Sequence, residues 1–107
     1  MSLIIVQTTC VDKEEANKIA KILVEKKLAA CVQMSEIESF YMWEENFCND
    51  NEILLNIKTK KENFKKIKSK IKELHSYDVP EIISINIENV SKDYKKFIGE
   101  NTKWVIS

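Results

Sequence analysis

Glycine and proline are almost missing from this chain: there is one of each in 107 residues, and arginine is absent altogether. So little glycine and proline leaves no linker or low-complexity stretch and argues for a single domain, 1–107. A lone glycine, Gly99, also excludes a glycine-rich phosphate loop and the Gly- and aromatic-rich strand motif of the common RNA-binding sheet. Without arginine, a forked, bidentate grip on phosphate or carboxylate is disfavoured. The 17 basic residues, all lysines, are matched by 17 acids, and a net charge of zero argues against a nucleic-acid partner. Cysteine is sparse too. Cys10, Cys31 and Cys48 are far apart, with no CxxC and no Cys/His cluster, which excludes a zinc finger and fits a reducing compartment. The start, MSLIIVQTT, lacks the basic and apolar segments of a signal peptide, and no apolar run is long enough to span a bilayer. The expectation is a soluble cytoplasmic protein without a membrane partner.

What is present alternates between strand and helix periods. Leu3 to Thr8 is rich in β-branched residues and reads as a strand. Asp12 offers a helix cap with Glu15 three residues on, and Ala16, Ile19, Ala20 and Leu23 give one apolar face to about Lys27. A second strand region opens at Leu28 to Met34 and resumes through IESFYMWEE; EILLNIKT, Glu52 to Thr59, is a third strand. Asn49, Asp50 and Asn51 have turn chemistry and predict a hairpin turn between the two. Thr59 with Glu62 forms a capping-box pattern before a helix carrying Phe64, Ile67, Ile71 and Leu74, ending near His75. EIISINIE alternates as a fourth strand, Ser91 caps a short third helix through Tyr94, Phe97 and Ile98, and KWVIS is a tail with the look of an edge strand. The order βαββαβ predicts an α+β, ferredoxin-like antiparallel sheet with two helices on one face plus a short C-terminal helix. Several strands are apolar on both faces: Phe40 and Met42 oppose Tyr41 and Trp43, and Leu3 and Ile5 oppose Ile4 and Val6. A two-sided apolar sheet needs a cover, and the expected cover is another subunit.

Chemistry has few places to reside. Six acids and no base lie between Lys27 and Lys58, followed by eight lysines from Lys58 to Lys72. This reads either as two solvated faces or as a carboxylate surface for a hard cation, without the spacing of a calcium loop. A Cys31–His75 nucleophilic pair lacks an evident orienting group, so no enzymatic activity is expected. The stretch ELHSYDVPEI, Glu73 to Ile82, holds the only histidine and the only proline. His75 reads both as a helix-end residue favoured by the dipole and as a metal ligand or proton carrier, with Glu81 offering a carboxylate nearby. Asp78 closes a turn, and Pro80 holds Val79 extended.

LAACV (Leu28 to Val32), ESFYMWEENFCNDNEILLNIKT (Glu38 to Thr59) and ELHSYDVPEII (Glu73 to Ile83) resemble, in order and spacing, the CutA family of divalent-cation-tolerance proteins. The resemblance covers roughly Ile4 to Ile98. It implies a ferredoxin-like homotrimer related in fold to PII-type signalling proteins, with no established reaction, no organic cofactor, and tolerance to copper(II) and other divalent cations. It marks Trp43, Lys58, Thr59, Tyr77 and Pro80 as residues of intersubunit clefts, and His75, Glu81 and Cys31 as metal ligands. The chain departs from the family pattern where a cysteine aligns near Thr8, with Cys10 two positions later, and where a tryptophan of the third helix is Phe97. The alternative function is a PII-like small-molecule-sensing or signalling scaffold that binds its ligand through Lys58, Tyr77 and Glu81.

Overall fold

A computed structural model describes residues 1–103. The elements are β1 (Leu3–Cys10), α1 (Lys13–Glu25), β2 (Cys31–Trp43), β3 (Asn46–Lys60), a 3-10 turn (Lys61–Asn63), α2 (Phe64–Leu74), β4 (Ile83–Ile87) and α3 (Lys92–Glu100). All strand pairs are antiparallel, in the order β2-β3-β1-β4. This is the ferredoxin-like sheet that the βαββαβ order predicts.

Alternation along the strands sorts their side chains onto two faces. Ile4, Val6 and Cys10 of β1, with Ile53, Leu55 and Ile57 of β3, pack against Ile19 and Leu23 of α1 and Ile67 and Ile71 of α2. Burying each of these aliphatic side chains stabilises the fold by about 1.5–3 kcal/mol. The opposite face is covered at one end by the chain itself. Ile98 of α3 packs with Leu3 and Ala30, and Tyr94, Ile87 and Val90 lie against them. Another subunit was the expected cover for this face, and the chain itself covers this end; at the other end Ile83 and Ile85 are left 47% and 46% exposed.

Caps define the helix starts. Asp12 accepts the Glu15 N–H at 2.9 Å, and Ser91 accepts that of Tyr94 at 3.3 Å, as the sequence predicts. The expected capping box at Thr59 does not form. Thr59 remains in β3 opposite Ile4, and its buried hydroxyl donates to the Leu28 carbonyl at 2.7 Å. A 3-10 turn intervenes before α2, so Glu62 has no cap partner at Thr59.

The second hairpin also differs from expectation. β2 is continuous from Cys31, Leu28 to Ala30 being a buried lead-in, and the turn falls at Glu44 and Glu45 rather than at Asn49 to Asn51. Both turn residues adopt positive φ, 49° and 67°, as a two-residue hairpin turn requires. The polar trio stays in β3 because the facing strand satisfies it: Asn49 donates to the Ser39 carbonyl, the Tyr41 hydroxyl donates to Asp50, and Asn51 pairs with Glu38. The hairpin becomes a long arm, and the described molecule extends 44 × 26 × 23 Å. The expected edge strand in the tail falls mainly on residues 104–107, outside those described.

Candidate metal centre and adjoining cavity

His75 closes α2. Its N–H reaches the Ile71 carbonyl at 2.9 Å, and its backbone is already extended. The turn swings the imidazole inward, where it is fully enclosed. Nε2 lies 2.7 Å from the Thr9 carbonyl of β1, which can only accept, so Nε2 carries the proton. Nδ1 accepts the Tyr77 N–H at 3.1 Å. Glu15, set in the first turn of α1 by the Asp12 cap, places Oε1 3.2 Å from the same Nδ1. Its two oxygens also accept the Ser76 N–H and O–H, each at 2.8 Å. Cys10, the last residue of β1, completes the group. Sγ, one Glu15 oxygen and one His75 nitrogen lie within 4.8 Å of one another, and no other group of three such donors occurs among the described residues. Burial pushes the Cys10 thiol up to about 12, helped by the negative charges of Glu15, Asp12 and Glu52.

A thiol, an imidazole and a carboxylate are a donor set suited to a borderline divalent cation. Each donor is already engaged, however. A bound cation has to displace the thiol proton and take Nδ1 from the Tyr77 N–H.

Tyr77 links this centre to a cavity. Its ring lies against His75, with centroids 4.8 Å apart, and its hydroxyl donates to Glu52 at 2.8 Å. Burial, then the Glu52 hydrogen bond, pushes that phenol far above its ordinary value. The cavity measures about 610 Å³ and opens between the arm and the loop before β4. Phe40, Tyr41 and Trp43 approach from the arm; Asp78 and Glu81 approach from the loop. Tyr41 is held near the arm's edge by Asp50, whose hydrogen bond is the main cause of a phenol pKa of about 12.

The model of the CutA1 divalent ion tolerance family matches residues 4–101. The chain belongs to the CutA1 family. It is 43% identical over 101 residues to the divalent-cation tolerance protein CutA of Pyrococcus horikoshii, covering 94% of this chain and 99% of that protein. Identity to the Thermus thermophilus protein of the same name is 40%, over 92% and 96% of the two chains. The crystal structure of CutA1 from Oryza sativa superposes with a TM-score of 0.93 at 35% identity, covering 96% and 95% of the chains. Location varies among these relatives. An Arabidopsis thaliana protein, 37% identical over 94% of this chain and 56% of its own length, is named chloroplastic, and an Archaeoglobus fulgidus structure, with a TM-score of 0.92 and 38% identity over 94% and 99% of the chains, is described as periplasmic. No described helix of this chain is long and apolar enough to cross a membrane.

Set on this CutA1 fold, the residues marked from sequence divide into three places. His75 joins Cys10 and Glu15. Trp43, Tyr77 and Glu81 meet at the cavity. Lys58 lies elsewhere, its ammonium 5.4 Å from the centroid of the Tyr94 ring on α3, while Thr59 is a buried structural hydroxyl. Pro80 lies within the cavity loop, between Val79 and Glu81, on a trans peptide. Cys31 begins β2 opposite Lys58, which pairs in turn with Ile5, whereas Cys10 stands at the far end of β1. Within one chain, neither Cys31 nor Glu81 joins His75 in a donor group. Sequence reasoning passed over Glu15 as a ligand because it read the residue only as part of a cap. The available signal was that the β1–α1 junction carries Cys10 and Glu15 a few residues apart.

Proposed function

We propose that this CutA1-family chain binds divalent cations, copper(II) foremost, and acts in cation tolerance as a cytoplasmic homotrimer. The observation that carries the reading is the convergence of Cys10, Glu15 and His75 within 4.8 Å. A bound cation supplies positive charge that all three donors face. The chain's own part is to deliver donors from β1, α1 and the end of α2, to keep water from the enclosed imidazole, and to release the Cys10 proton. The trimer is supported by the unburied apolar arm: Phe40, Met42 and Phe47 are 64%, 63% and 69% exposed. Calorimetric titration with copper(II) tests the reading. Cys10→Ser and His75→Ala should each weaken binding by about tenfold or more, and Glu15→Gln should do so less strongly. Unchanged affinity in all three would remove this centre. A loss confined to Cys31→Ser and Glu81→Gln would move the site to a position completed between subunits.

A further inference from the structure

Three contacts hold Tyr77, and they join the candidate metal centre to β3. Its amide donates to His75 Nδ1 at 3.1 Å, its ring leans on the imidazole, and its hydroxyl donates to Glu52 at 2.8 Å. Glu52 is only 7% exposed and has no other hydrogen bond or ion pair among the described residues.

The two ends of this residue compete. Nε2 of the enclosed imidazole is committed to the Thr9 carbonyl, so the ring is fixed and Nδ1 is the nitrogen left for a cation. Nδ1 has one lone pair, and the Tyr77 amide occupies it. Glu15 faces no such conflict: its two oxygens accept from Ser76 and keep lone pairs to spare. Filling the centre therefore dislodges one backbone group, the Tyr77 amide. The hydroxyl of the same residue resists that movement, because withdrawing it strips a buried carboxylate of its donor.

The geometry points to Tyr77 as a latch that sets the affinity of the metal centre: its bond to Glu52 holds its amide on Nδ1 and opposes cation binding. The latch acts on the cation centre proposed above and rests on that reading. All of its contacts lie within one chain, so it works whether or not a neighbouring subunit closes the cavity.

The test is calorimetric titration of the full chain with copper(II). Tyr77→Phe keeps the amide and the ring and removes only the bond to Glu52. It should bind copper(II) about tenfold more tightly than wild type. Tyr41→Phe removes the corresponding hydroxyl–carboxylate bond on the arm, to Asp50, and should leave the affinity unchanged. Hydrogen exchange supplies a readout that needs no variant: copper(II) should speed exchange of the Tyr77 amide in wild type. The latch is overturned if Tyr77→Phe binds no more tightly, if Tyr41→Phe gains as much, or if the Tyr77 amide exchanges no faster with copper(II). A wild type that binds no copper(II), or binds it independently of Cys10 and His75, overturns the centre and the latch together. Binding that depends on Cys10 and His75 but is unchanged in Tyr77→Phe overturns the latch alone.

Discussion

Tyr41 and Asp50 form a hydrogen-bonded pair near the tip of the arm, and their chemistry is readable in isolation. The folded phenol ionises near 12 against an ordinary value of 10.0, chiefly because Asp50 accepts its proton-bearing hydroxyl. A raised folded value means that the folded chain holds this proton more tightly than the unfolded chain. The contribution is fully present below pH 10 and is lost as pH rises toward 12. Ultraviolet titration of wild type against Tyr41→Phe isolates this phenol. Asp50→Asn should bring its ionisation down toward about 10, the ordinary tyrosine range, and an unchanged titration would show that Asp50 is not the cause. The same pair shows why Asp50 misleads in the sequence. A residue with turn chemistry stays in a strand when the strand opposite offers it a partner.

At the scale of elements, the scarcity of glycine has a measurable effect. Lys27, Glu44 and Glu45 adopt φ of 58°, 49° and 67°, a region where a Cβ is strained. Replacing Lys27 with Gly, or Glu44–Glu45 with Asn–Gly, should stabilise the chain by about 1 kcal/mol in each case. At fixed protein concentration, thermal unfolding should then shift upward by about 4–8 °C. A lowered midpoint would mean that these side chains make contacts worth more than the strain. The periodic elements were legible from sequence because burial and period agree in them. Ile19 and Leu23 face the core as read, as do Ile67 and Ile71, and the caps at Asp12 and Ser91 form. The hairpin turn was not legible because glutamate carries no turn signal. The Thr59 cap failed because a buried carbonyl, that of Leu28, offered the hydroxyl a better partner. The candidate metal centre was half legible. His75 is conspicuous as the lone histidine, but its neighbours come from β1 and α1 and meet it only once the sheet is assembled.

For the whole molecule, the unanswered demand is the cover for the arm and for the open end of the sheet. Phe47 on the arm and Ile85 on β4 are 69% and 46% exposed in one chain. If three chains supply the cover, Ile85→Glu and Phe47→Glu should shift sedimentation from trimer toward monomer while leaving the helical signal largely intact. A wild type that sediments as a monomer at micromolar concentration would remove the trimer.

Zero net charge hides a strong polarity along β3. At its arm end, the turn it shares with β2 carries Glu44 and Glu45, both exposed; at its other end, Lys60 leads into the lysines of α2. The molecule is an electric dipole without a net pole. In dilute buffer the acidic end of one copy attracts the basic end of the next, and nothing in the overall charge opposes the approach. Added salt shortens the reach of that attraction to about 10 Å at 0.1 M. Added salt is therefore expected to raise the solubility of this protein, the reverse of what a uniformly charged surface would do, and turbidity measured against sodium chloride concentration checks it.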